Sequence, residues 1–206
     1  AMFVRRSVFE QLGGFDESFF MFFEDVDFGW RLNLSGYTFL YQPQSIAFHQ
    51  YHGSMSGIPK RREQFLLERN ALYCLYKNLD DTQLQRILPG ALLASVKRAV
   101  VDSDADTTQF DLARGSTSSP AIEMKADTLV PLFAMDQFVD ALPELIQKRS
   151  SIQSTRQRCD AAMWRLFGET NAAMSTDARY LRGYDAIVEA FGVTEDPPAL
   201  NVLIVT

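Results

Sequence analysis

The segment Glu24–Leu34 most constrains the fold, because its apolar residues fall on more than one helical face. Val26, Trp30 and Leu34 recur at four-residue spacing, as do Phe28 and Leu32, and Gly36 stands where a helix stop is expected. A helix that is apolar on two faces has to be covered on both, so this one belongs inside the fold. The chain has material to cover it: 206 residues, 47% of them apolar, suffice for one large domain or two small ones with a sizeable core.

The flanking sequence supplies further elements. Ser7 and Glu10 have capping-box spacing and open a short helix over residues 7–12, closed by Gly13-Gly14. Residues 37–41 (YTFLY) and 45–48 (SIAF) read as two strands about a Pro43 turn, the second ending at His49. Helical periodicity over 60–79 and again over 81–100 predicts an antiparallel pair. Between 102 and 128 the composition shifts to Asp, Ser, Thr and Gly, as in a flexible linker or long loop. Three more helices are expected over 136–149, 151–167 and 176–191. The closing run LNVLIVT, at 200–206, has the composition of a buried strand. Both ends read as though cut from a longer multidomain polypeptide.

Charge and composition exclude several classes. A formal net charge of -6 without a basic stripe leaves nothing to displace counterions from a nucleic acid. No apolar stretch approaches the roughly 20 residues of a membrane span, and the N-terminus lacks the organisation of a signal peptide. Two cysteines, Cys74 and Cys159, each lie within an apolar helical pattern, which predicts buried free thiols and a reducing compartment. The expected location is cytoplasmic, with membrane-peripheral placement left open.

Chemistry concentrates in Glu24-Asp25-Val26-Asp27. Acidic residues at a helix start also stabilise the macrodipole by about 0.3–1 kcal/mol each, so the run alone does not separate structure from function. It is preceded by Phe19-Phe20-Met21-Phe22-Phe23, an environment expected to desolvate a carboxylate and raise its pKa toward that of a general base. Asp27 and Arg31 stand at i, i+4 and read as a helix-face ion pair.

The string FVRRSVFEQLGGFDESFFMFFEDVDFGWRLNLSGY resembles the acceptor-side half of family-2 inverting glycosyltransferases, particularly their rhamnosyltransferase-like branch. The resemblance covers roughly the first 80 residues. It implies an α/β chain: the C-terminal half of a GT-A fold, followed by a mainly α-helical region. It further implies a nucleotide-sugar donor, a glycan or lipid-linked glycan acceptor, and Asp25 as the base that deprotonates the attacking hydroxyl. Glu24 and Asp27 would position Asp25, bond loop amides or touch the acceptor. Trp30 is a candidate for stacking on a sugar, although its apolar neighbours favour core packing. By its place after the second strand, His49 would help ligate a divalent metal, Mn²⁺ or Mg²⁺, with His52 as its substitute. Arg69, in Arg69-Asn70, is the candidate for a diphosphate, with packing or an ion pair as the competing role.

The resemblance has gaps. The nucleotide-binding half with its Asp-X-Asp metal motif has no counterpart here, and Asp102-Ser103-Asp104 matches that motif in spacing only. The expected organisation is a catalytic-base half over 1–101, a linker over 102–128, a helical region over 129–196 and a strand over 197–206. That last strand resembles the opening of a family-4-like GT-B domain. Such a fragment is expected to be inactive alone, and a non-catalytic scaffold or interaction module is the alternative.

Overall fold

The computed structural model describes residues 2–48, 57–104, 125–167 and 175–192. Seven α-helices occur among them: α1 (Arg6–Gln11), α2 (Glu24–Leu34), α3 (Lys60–Asn78), α4 (Asp81–Ser103), α5 (Leu129–Ser154), α6 (Asp160–Phe167) and α7 (Ala178–Ala190). Short 3-10 turns cover Glu17–Phe19 and Ala126–Thr128.

This corrects the expected α/β fold, since no strand is found among the described residues. Residues 37–48 do turn at Pro43, with Ser45 N–H donating to the Gln42 carbonyl at 3.0 Å. They form no ladder, however, and Leu40, Tyr41, Ile46 and Phe48 are exposed. β-branched and aromatic residues make a strand possible, but a ladder needs a neighbouring strand to bond. None of the other described segments supplies one. The 200–206 strand lies outside the described residues.

Helix α3 is the organising element. The Asp80 carboxylate caps α4 by accepting from Gln83 N–H at 2.8 Å, and α4 doubles back along α3. There Glu68 accepts from Ser95 (3.1 Å) and from Arg98 (2.7 Å), so the predicted antiparallel pair is present. Helix α5 packs along α3 in the same direction, as successive contacts show: Arg61 with Asp127, Arg69 with Gln137, and Arg149 with the Leu79 carbonyl. Arg149 and Gln153 donate to the carbonyls of Tyr76, Lys77 and Leu79, satisfying acceptors that the end of α3 leaves open. Helix α5 therefore runs through the Arg149-Ser150 position where the sequence suggests a break. The main core joins Phe19, Trp30, Leu34, Leu72, Tyr73, Leu79, Phe138, Leu145 and Met163.

Helix α2 has the predicted bounds and is covered on both apolar faces except at Val26, which is 44% exposed. Trp30 and Leu34 enter the main core, while Phe28 and Leu32 join a smaller cluster with Val8. Gly36 ends the segment at φ 87°, a left-handed geometry that favours glycine. At α1 the capping box does not form: Ser7 lies within the helix, and Glu10 instead pairs with Arg6 at 2.7 Å.

Candidate active site

The acidic run forms the first turn of α2, after an aromatic turn of unusual backbone. Phe20, Phe22 and Phe23 have φ of 61°, 66° and 66°. Left-handed geometry costs a residue with a Cβ about 1–2 kcal/mol, so something must hold this turn. Asn70 does so from α3: its Nδ2 donates to the carbonyls of Phe19 (3.0 Å), Met21 (2.7 Å) and Phe22 (2.9 Å). Arg69 adds bonds to the carbonyls of Ser18 (3.0 Å) and Phe19 (3.1 Å).

The loop before the turn is held by buried charge. Asp16 caps the 3-10 turn by accepting from Ser18 N–H at 3.0 Å, and binds Lys77 and, at 2.6 Å, Lys148. Lys77 also reaches Asp27 at 3.0 Å, and Asp27 accepts from Arg31 at 2.8 Å and from Asn78 at 2.9 Å. Arg31 then bonds the carbonyls of Leu12 and Gly14 at 2.5 Å and 2.8 Å. Burial raises the pKa of Asp16, but the Lys77 charge and hydrogen bonds from Lys148, Lys77 and Ser18 outweigh it, holding the carboxyl well below the usual range.

The three acids thus have three environments. Asp27 is fully buried and enclosed by Lys77, Arg31 and Asn78. Its pairing with Arg31 is the one expected from the spacing, although it lies in the interior and not on a helix face. Glu24 is half-buried, and its Oε2 is shut from solvent with no hydrogen-bond partner among the described residues. Asp25 is exposed, and its Oδ1 accepts from Val26 N–H at 2.8 Å. The aromatic run does not cover it: Phe19 points into the core, and Phe20 is 71% exposed. The desolvation expected from the sequence is therefore not found at Asp25.

The remaining candidates fall apart from this turn or behind it. Trp30 is a core residue, edge-on to Trp164 at 6.1 Å. Each guanidinium nitrogen of Arg69 donates within the protein, Nε to Asn70 and the others to Gln137, Ser18 and Phe19. Arg69 borders a cleft of about 270 Å³ that also contains Asp140 and Glu144, a poor setting for a diphosphate. His49 and His52 lie outside the described residues, which by themselves bring together no group of three metal-ligating side chains. A larger cleft of about 710 Å³ has no residue from α2, and six of its lining charges pair with one another: Arg61 with Asp127, Lys125 with Asp104, Arg179 with Asp177. No helix among the described residues is long and apolar enough to cross a membrane. Both cysteines are free thiols; Cys74 is buried, but Cys159 is exposed, against expectation.

Sequence reasoning missed Asp16, Asn70, Lys77 and Lys148 as the support of the turn. A signal for two of them was present. Leu66, Asn70, Cys74 and Lys77 follow one another at helical spacing on α3, and a polar residue on an apolar stripe needs a buried partner.

Comparison with known proteins places the chain in a relationship with glycosyltransferases. A stretch of 46 residues, 22% of the chain, is 52% identical to N-acetylglucosaminyl-diphospho-decaprenol L-rhamnosyltransferase of Mycobacterium tuberculosis, with the same figures in two strains. The chain matches only 15% of the length of those relatives. No protein-family model and no solved structure matches it.

Proposed function

We propose that this chain supplies the acceptor-side, general-base part of an inverting glycosyltransferase. The observation that carries the reading is the 52% identity over 46 residues to a rhamnosyltransferase whose name specifies a lipid-diphosphate-linked sugar acceptor. By that likeness, the acceptor is a glycan or lipid-linked glycan and the donor a nucleotide sugar. The local geometry supports Asp25 as the base. Of the three acids it is the exposed one, and among the described residues no cation pairs with it, whereas Asp27 is enclosed by cations.

In the reaction, the acceptor hydroxyl oxygen attacks the anomeric carbon of the donor. The bond from that carbon to the diphosphate oxygen breaks, and the nucleoside diphosphate leaves with the electron pair. Asp25 takes the hydroxyl proton as the new bond forms, because an alcohol is too weak a nucleophile at neutral pH. Inversion follows from the single displacement. Glu24, whose Oε2 is shut from solvent with no hydrogen-bond partner among the described residues, is assigned in this reading to orienting the acceptor or Asp25. A divalent ion, Mn²⁺ or Mg²⁺, bound through His49 with His52 as its substitute, belongs to the same proposal.

In the complete protein, Asp25→Asn is expected to abolish sugar transfer, measured with a lipid-linked acceptor, while donor affinity stays within about twofold. Near-normal turnover by this variant would overturn the assignment.

A further inference from the structure

Four backbone carbonyls ahead of Glu24 converge on two side chains of α3 that take no part in the proposed displacement. Asn70 is fully buried and Arg69 nearly so, and together their N–H groups satisfy the carbonyls of Ser18, Phe19, Met21 and Phe22, so loss of either leaves buried or part-buried acceptors short of a donor. Strain persists in a structure only where its surroundings over-determine it, and it gathers where a site must be pre-shaped. Phe20 has φ 61° and ψ -57°, and Met21 N–H folds back to the Phe19 carbonyl at 2.7 Å across it. Such three-residue turns of positive φ are rare and strained. Its ring faces outward, so packing of that ring does not account for the geometry. The turn ends at Phe23, whose carbonyl accepts the first helical bond of α2, from Asp27 N–H at 2.8 Å. The direction in which α2 presents Asp25 is therefore set by this turn.

We propose that Asn70 and Arg69 are positioning residues for Asp25: they lock the strained aromatic turn and so fix where the first turn of α2 holds its exposed carboxylate. The proposal rests on the reading of Asp25 as the base. It also gives Arg69 a role other than binding a diphosphate. Neither residue touches the reacting atoms, so loss of either should lower kcat and leave donor KM unchanged.

The test pairs hydrogen exchange on the 206-residue chain with kinetics on the complete protein. In Asn70→Ala, exchange at the Met21 and Asp27 amides should quicken roughly tenfold or more, while the amides at the centres of α3 and α5 keep their protection. In the same variant kcat should fall by roughly 10- to 100-fold with donor KM within about twofold. Adding Phe20→Gly, which removes the Cβ penalty at the strained position, should recover part of both losses. A merely structural role would lower protection without the fall in kcat at constant KM. Should Asn70→Ala not fold, Arg69→Lys, which keeps the charge but loses the forked donors, must show the same loss in kcat at constant KM. Unchanged exchange and unchanged kcat in the folded variant overturn the proposal. Turnover lost in Asp25→Asn but retained in Asn70→Ala overturns this proposal alone, whereas turnover retained in Asp25→Asn overturns the base reading and this one with it.

Discussion

Lys77→Met is the sharpest test of the support behind the acidic turn. Lys77 is 1% exposed, its ammonium binds Asp16 and Asp27, and it lies 4.7 Å from the centre of the Phe19 ring. Methionine keeps an unbranched stem over that ring and removes only the charge and its hydrogen bonds. Removing one partner of a buried ion pair costs about 3–5 kcal/mol, because the other charge is left uncompensated. Here Asp27 keeps Arg31 and Asn78, and Asp16 keeps Lys148 and Ser18, which points to the lower end, about 3 kcal/mol. For a chain of this size that lowers Tm by about 6–12 °C. Urea unfolding followed by circular dichroism reads the loss directly. Asp16→Asn combined with Lys77→Met should lose less than the sum of the single variants, with a coupling above about 1 kcal/mol. The pH dependence has a defined sign. The Asp16 carboxyl titrates below its ordinary value of 3.8 in the fold, so its stabilisation is complete above about pH 4 and is lost as pH falls toward the depressed folded value. Removing Lys77 lets the folded value rise, so the gap between wild type and variant should be flat from about pH 7 to 5 and close below about pH 4. A loss under about 1 kcal/mol, or a gap that widens in acid, would refute the network as the support.

The thiols should separate cleanly. Cys159 is exposed and should react with a maleimide in the native chain, whereas Cys74 is buried, and burial, with the nearby Asp27 charge, pushes its pKa well up. Mass spectrometry should show one label in buffer and two in denaturant; two labels in buffer would contradict the packing around α3. Gly36→Ala should destabilise by about 1–2 kcal/mol in thermal melts, since the residue sits at φ 87° and an added Cβ would meet the Gln157 side chain. A neutral result would mean that the segment leaving α2 adopts another conformation.

Helix α2 could be read from the sequence because its signals are local: acids at one end, glycine after the other, and apolar spacing in between. Helices α3 and α4 were legible for the same reason. The strands over 37–41 and 45–48 were not, because composition reports a capacity to pair and the partner is a matter of the rest of the fold. The same division runs through the site. The resemblance drew notice to Gly13-Gly14-Phe15-Asp16-Glu17, Glu24-Asp25 and Arg69-Asn70, but could not say which residues face a ligand. In the structure, Asp16, Asp27, Arg69 and Asn70 all face inward and satisfy charges or carbonyls, and Asp25 alone of the three helix-start acids is open to solvent. Most of the motif is therefore internal support, with one carboxylate of the helix start left at the surface. None of its buried polar members can be removed singly without leaving a buried charge or carbonyl unpaired. On the proposed reading, catalysis and folding constrain the same short segments, and the acids at the helix start read equally well as macrodipole compensation and as chemistry until burial divides them.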